Sequence, residues 1–303
     1  MSKAFGFEAY GGPENQRFLD RRIPVPGPGQ LLIAVRAAGV NPADWKVREG
    51  LFGRTKPVPR VLGSEAAGVL RVLGEGVSGF LVGDPVFGIA PDGAFADHVL
   101  LDAGEAAKVP DDVTFTQAAT LSVAAATALD AVDQLGLTPG QTLLVLGVSG
   151  GVGSAAAQIA RSRGITVIGT ASDQSREYVA SLGATQVRYG DGVAERIGAV
   201  APEGVDGVLD LVGGQDAMAA SGTLRKGGRL VSTADPATVA GLGGEYVKRR
   251  RTGEVLASVA ALVAGGALDP HISETFALDR AAEAMLAVES GHARGKCVIE
   301  IRA

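Results

Sequence analysis

A single cysteine, Cys297, excludes an intramolecular disulfide and any zinc site assembled from several thiolates. Histidine is almost as scarce. His98, His271 and His292 stand far apart in sequence without metal-ligand spacing, so each reads as an ordinary surface or core residue. Positive charge is not in excess: the formal net charge is −5, which disfavours a nucleic-acid partner. Long hydrophobic runs are missing too. The longest nearly apolar stretch, Leu256 to Leu268, falls well short of the roughly 20 residues that a membrane span needs. The opening MSKAFGFEAY carries no basic-then-apolar signal pattern. A soluble, cytoplasmic protein without membrane or nucleic-acid partners is expected.

What is present is a globular composition. Hydrophobic residues make up 46% and charged residues 20% of 303, enough apolar surface for about two domains and too much for a disordered chain. Glycine is abundant at 44 residues but follows no G-X-Y period, so it punctuates local structure and collagen is excluded. One basic run, Lys248-Arg249-Arg250-Arg251, reads as a solvated helix face, with anion binding as the other reading.

Up to about residue 120 the chain reads as short strands broken by turns, at Leu31 to Ala37, Gly68 to Leu73, Val82 to Gly88 and Ala94 to Leu101. No helix-period pattern of any length precedes about residue 115, which points to a β-rich domain. The texture then changes. Strand runs at Thr142 to Leu146, Ile165 to Thr170, Val205 to Leu211 and Gly228 to Ser232 alternate with helical stretches such as Ser154 to Arg163 and Arg176 to Leu182. Such alternation indicates a parallel sheet with crossovers. Another helix is expected over Glu254 to Val263, and Lys296 to Ile301 ends the chain as a strand able to return to the first domain.

The most informative segment is Gly147-Val148-Ser149-Gly150-Gly151-Val152-Gly153, between a strand and a helix. Glycines there permit a tight turn and close approach to a pyrophosphate, and the helix N-terminus offers N–H groups and a positive dipole end. That context favours dinucleotide binding over a merely structural turn. At the end of the next strand, NAD sites place an acid for the ribose 2′-hydroxyl. Here Ala171 holds that position and leaves room for a 2′-phosphate. Asp173 is close by but reads as a helix N-cap. Ser172, Arg176 and Tyr189 are candidate phosphate contacts; their plain readings are cap, surface charge and half-buried aromatic. NADP(H) is the expected cofactor.

Several segments occur together in a familiar order: Ala38 to Lys46, Val61 to Val69, Gly79 to Gly88, Leu146 to Gly153, Val205 to Gly214, and Gly295 to Val298. Over essentially its whole length the chain resembles the medium-chain dehydrogenase/reductase superfamily, in its zinc-free quinone oxidoreductase branch, which includes zeta-crystallin. The resemblance implies an α/β protein with a GroES-like β-rich catalytic domain over 1–120 and 266–303. The rest, 121–265, would be a Rossmann domain with a doubly wound parallel sheet. It also implies a homodimer.

Compared with the zinc alcohol dehydrogenases of that superfamily, Asn41 stands where a zinc-binding Cys would be and Ser64 where the His of their Gly-His-Glu motif would be. Ala43 and Lys46 replace their proton-relay residues. The resemblance therefore implies no metal, and alcohol dehydrogenation is disfavoured. Hydride donation from NADPH to a quinone or an α,β-unsaturated carbonyl remains, with the protein orienting the reactants and stabilising a developing oxyanion. Asn41, Asp44 and Lys46 are the implied catalytic residues, Lys46 standing where many quinone reductases carry Tyr and enone reductases Lys. Their plain readings are a turn cap, a charge pair and a solvated lysine. The family's cofactor contacts fall on Thr127, Gly147, Ser149, Gly150, Gly151, Val152, Gly153, Val212, Gly213, Ser232, Thr233 and Lys296. Residues 235–252 look shorter than in relatives. An enoyl-thioester reductase and a non-catalytic NADPH-binding protein are the competing functions.

Overall fold

The computed structural model describes residues 1–291 and 294–301, so His292 lies outside the described residues. The chain divides into two compact units, one formed by Met1–Val123, Arg251–Ala264 and the chain from Ile272 onward, the other by Ala124–Arg250 and Gly265–His271. The helix Gly253–Ala264 thus groups with the first unit, not with the nucleotide domain expected over 121–265. Its start packs closely there: a Cβ on Gly253 would lie 2.5 Å from the Ala106 carbonyl oxygen. No helix among the described residues is long and apolar enough to cross a membrane.

In the first unit a sheet runs in the order Ile272–Ala277, Lys296–Glu300, Gln30–Val40, Glu65–Leu73, Pro85–Ile89 and Ala106–Lys108, with His98–Asp102 also paired to Gln30–Val40. Ser2–Phe7 lies between Gln16–Arg21 and Arg60–Val61 in a smaller sheet. Phe7, Leu31, Ile33, Phe95, Leu101 and Ile299 belong to one buried apolar cluster. This is the β-rich domain expected from the sequence. The last strand returns to it as expected, antiparallel to Gln30–Val40 with Cys297 opposite Val40.

One helix contradicts the reading of an unbroken β-rich segment. Pro42–Glu49 is α-helical, with Asn41 as N-cap, Pro42 in its first turn and Gly50 closing it at φ 79°. The Asp44 carboxylate accepts from the Asn41 N–H at 2.8 Å, and Gly50 takes the left-handed conformation that a side chain resists. Eight residues with no apolar stripe give no periodic signal, so the caps alone define this helix. Arg48 fastens it. Its buried guanidinium donates to the Gly11 carbonyl at 2.9 Å and to both Glu289 oxygens at 3.0 and 2.9 Å, on the helix Ala281–Glu289.

The second unit holds a parallel sheet in the order Thr185–Arg188, Thr166–Ala171, Thr142–Leu146, Val205–Asp210, Leu224–Ser232 and Glu245–Tyr246. The first strand in sequence sits in the middle and the order reverses beside it, which is the Rossmann topology. Leu143, Leu144, Val145 and Leu146 are fully buried, as a strand covered on both faces must be. The basic run is not a helix face. Lys248, Arg249 and Arg250 lie in irregular chain after the short edge strand, drawn there by carboxylates on other elements. The helix begins only at Gly253.

Replacing Arg48 by Leu leaves the Glu289 carboxylate and the Gly11 carbonyl without their buried donor. Arg48→Leu is expected to destabilise the protein by about 3 kcal/mol. Urea unfolding of both proteins checks this, and coincident curves would show that the bridge adds nothing.

Candidate functional site

In the second unit the strand Thr142–Leu146 feeds Gly147, whose φ is +82°, and the turn opens the helix Gly151–Ser162. No side chain caps that helix at Gly150, so its first N–H groups have no capping acceptor. Gly153 permits the turn to fold onto the helix, because a Cβ there would stand 2.3 Å from the Gly147 carbonyl oxygen. Val148 is buried against Gly169 of the neighbouring strand, where a Cβ would lie 2.3 Å from its Cγ1. Ser149, Gly150, Gly151 and Val152 are half-buried at the turn. The arrangement suits a pyrophosphate.

At the end of the adjacent strand Ala171 is buried and Ser172 occupies the N-cap position of a short turn over Asp173–Ser175. Asp173 is therefore not the cap: it lies one residue further on, exposed, and pairs with Arg176 at 3.2 Å and Arg188 at 3.5 Å. Arg188 ends the third strand beside the exposed Tyr189 and was not anticipated. Its strand-end position next to Tyr189 was the available signal. Two guanidinium groups against one carboxylate leave this corner positive.

Asp210 organises the two strand ends beyond. Its carboxylate accepts from the N–H groups of Val212 and Gly213 at 3.0 and 2.8 Å and from the Ser232 hydroxyl at 2.7 Å. Ser232 is fully buried and also accepts from the Ala234 N–H at 3.0 Å, so its hydroxyl builds the turn. Val212 is exposed, and the Thr233 carbonyl accepts from Tyr246 at 2.9 Å. Thr127 is buried near the start of the helix Ala126–Leu135.

In the first unit the register Cys297 opposite Val40 carries Lys296 to the start of the capped helix. Its ammonium donates to the Val40 carbonyl at 3.1 Å, to Asn41 Oδ1 and to Glu65 Oε1 at 3.0 Å. All three of its protons are thereby engaged. Asn41 Nδ2 donates to Glu65 Oε1 at 2.8 Å, and Glu65 Oε2 accepts from the Val123 N–H at 2.7 Å. Asp44 adjoins this cluster and accepts from Ser64 Oγ at 3.3 Å. Burial drives its carboxyl up to about 7, with Glu65 adding to the rise, while the Asn41 N–H, Lys296 and Ser64 oppose it. Lys46 is half-buried with its ammonium 5.6 Å from the Trp45 ring centroid, and among the described residues it has no carboxylate partner.

Wider members of this fold family carry zinc, which tests the residues here. At the positions in question the Asn41 amide is engaged at both ends, Ser64 donates to Asp44, and an ammonium lies against Asn41. Among the described residues no group of three or more His, Cys, Asp or Glu is disposed to hold a metal. This donor set does not fit zinc.

Residues 27–111 match the family model of the alcohol dehydrogenase GroES-like domain, and residues 182–299 match the model described as zinc-binding dehydrogenase. The chain is 30% identical to human quinone oxidoreductase over 315 residues, covering 96% of this chain and 95% of that protein. It is 36% identical over 229 residues to the human synaptic vesicle membrane protein VAT-1 homolog, covering 74% of this chain but only 58% of that longer protein. Among solved structures it superposes on the quinone oxidoreductase from Coxiella burnetii with a TM-score of 0.92 and 32% identity over 99% of both chains. A mycobacterial protein complexed with NADPH gives 0.88 and 29%, covering 99% of this chain and 100% of that one.

The pH behaviour of Asp44 is testable. An ordinary carboxyl titrates near 3.8, and this one near 7, so folding holds its proton where the unfolded chain has lost it. The contribution is therefore full below about pH 4 and declines as pH rises to about 7, by up to about 1.4 kcal/mol per pH unit. Asp44→Asn keeps an acceptor for the Asn41 N–H and removes the titration. Relative to wild type, the variant is expected to gain stability between pH 4 and 7 in urea unfolding. Parallel stability profiles would show that Asp44 titrates normally.

Proposed function

We propose, for a chain that belongs to the quinone oxidoreductase family of the medium-chain dehydrogenase/reductase superfamily, an NADPH-dependent, zinc-independent reduction of quinones or α,β-unsaturated carbonyls. The observation that carries the cofactor is the glycine turn opening a helix without a side-chain cap. Bound NADPH supplies hydride to an acceptor whose own conjugation activates it. In this reading Gly147, Ser149, Gly150, Gly151, Val152 and Gly153 receive the pyrophosphate, and Arg176, Ser172 and Tyr189 surround the 2′-phosphate. Arg188, paired like Arg176 to Asp173, joins them.

The two lysines separate in role. Lys296 is buried with every proton engaged, so it acts on Asn41 and Glu65 and not on the cofactor. Lys46 has no carboxylate partner among the described residues, and its ammonium is the group available to a developing oxyanion. Asn41 and Asp44 start and cap the helix that presents it. Val212, Gly213, Thr233 and Thr127 fall to the nicotinamide and ribose end, while Ser232 shapes the turn behind them. The enoyl-thioester alternative gains nothing from the basic run as an anion site, since Lys248, Arg249 and Arg250 are already paired with carboxylates.

NADPH consumption on addition of a quinone, an enone or a crotonyl thioester tests the reading. Turnover with the first two, unchanged by chelators and without stoichiometric zinc, is expected; consumption only with the thioester, or none at all, overturns it. Arg176→Ala should weaken NADPH binding by roughly tenfold to a hundredfold and leave NADH binding nearly unchanged. Equal losses for both cofactors would assign Arg176 to structure.

Lys46 separates chemistry from binding. A donor acting on the developing charge is worth about 10²–10³ in turnover. Lys46→Met is expected to lower kcat for an enone by about that factor while the dissociation constant of NADPH changes little. Wild-type turnover in a folded variant would return Lys46 to the surface.

A further inference from the structure

The basic run remains outside the functions assigned above. We propose that Arg249 is a positioning residue for the nicotinamide end of the cofactor site, acting through Thr127; this rests on the reading of Thr127 as a nicotinamide contact.

Arg249 Nη1 donates to Thr127 Oγ1 while its Nε lies 3.3 Å from Asp130 Oδ2. Thr127 and Asp130 stand three residues apart on the helix Ala126–Leu135, so one guanidinium spans neighbouring side chains of a single helix face. Arg250 reinforces the same carboxylate, with Nε 2.7 Å from Asp130 Oδ1 and its backbone N–H 2.9 Å from Oδ2. The segment is also tied to its flanks. The Lys248 N–H donates to Gln134 Oε1 at 2.9 Å, and the Val247 N–H donates to the Ser232 carbonyl at 2.9 Å. Residues 247–250 thus form a strap between a strand end and the helix bearing Thr127.

Charge argues against an anion site. Lys248 is paired with Glu245, Arg249 with Asp130, and Arg250 with Asp130 and Asp133. A phosphate would have to break these pairs. Geometry argues for positioning. A threonine on a helix divides between two χ1 rotamers, and a guanidinium fixed on Asp130 that donates to its oxygen selects one. Asp130, with its side chain fully buried, gives that guanidinium a rigid anchor.

The test compares dissociation constants for NADPH, NADH and 2′-phospho-ADP-ribose, which lacks the nicotinamide. The proteins are wild type, Arg249→Lys, Arg249→Met, Thr127→Val and the double variant Thr127→Val/Arg249→Lys. Arg249→Lys keeps a cation for Asp130 but cannot reproduce the fork, so it tests the idea even if Arg249→Met fails to fold. Losing one such bond should weaken both NADPH and NADH by up to about tenfold and leave 2′-phospho-ADP-ribose unchanged. The double variant should bind within about twofold of the weaker single variant. A folded Arg249→Lys that binds NADPH like wild type overturns the proposal, as do additive losses. A loss confined to NADPH and 2′-phospho-ADP-ribose would make Arg249 a phosphate ligand and also overturns it. Wild type that binds no nicotinamide cofactor instead removes the functional reading beneath it.

Discussion

The first unit depends on one buried pair, Lys296 with Glu65, both almost wholly removed from water. Neither charge is tolerable alone at that depth, and each is held by additional hydrogen bonds, to Val40 and Asn41 on one side and to Val123 on the other. The pair sets the Asn41 amide, whose oxygen must face the ammonium and whose nitrogen must face the carboxylate. With Asn41 fixed, the helix after it begins at one place only. Asp44 then falls one turn in, buried beside the pair, and Lys46 two residues on. A register between two strands at opposite ends of the chain thereby decides where a catalytic candidate stands.

The second unit solves a related problem with backbone groups. Strands that end together leave N–H groups to be satisfied, and Asp210 takes those of Val212 and Gly213 together with the Ser232 hydroxyl. Around it the glycines keep the main chain close, with Gly213 at φ +78°. The helix Gly151–Ser162, like Val193–Val200 and Gly214–Ser221, has a glycine at its cap position and no side-chain cap. Of these it is the one that follows the glycine turn of the sheet's central strand, which is where the proposed reading places the anion.

Much of this was legible from sequence, for identifiable reasons. Strands such as Thr142–Leu146 are continuous apolar runs bounded by turns, and the glycine turn lies between strand and helix, so local pattern suffices. The return of the last strand was also legible. The helix Pro42–Glu49 was hidden because it is short and polar, though Asn41, Pro42, Asp44 and Gly50 spell its caps. Asp173 was misplaced by one residue because Ser172 takes the cap position. The basic run misled for a different reason. Its partners Asp130 and Asp133 lie more than a hundred residues away, and no local window joins them. Lys296 was set near the cofactor by resemblance alone, and its contact with Asn41, fixed by strand register, has no local signal in the sequence.

The placement of charge in the first unit bears on which acceptors the proposed reaction can use. An ammonium engaged through all its protons has none left to donate, so in the proposed reading Lys296 contributes order. Lys46 offers a single cation held near an aromatic ring, a donor able to stabilise charge that has formed but weaker than a metal at drawing charge out of an isolated carbonyl. On the proposed reading the acceptor supplies its own delocalisation, as a quinone or an enone does and a simple ketone does not.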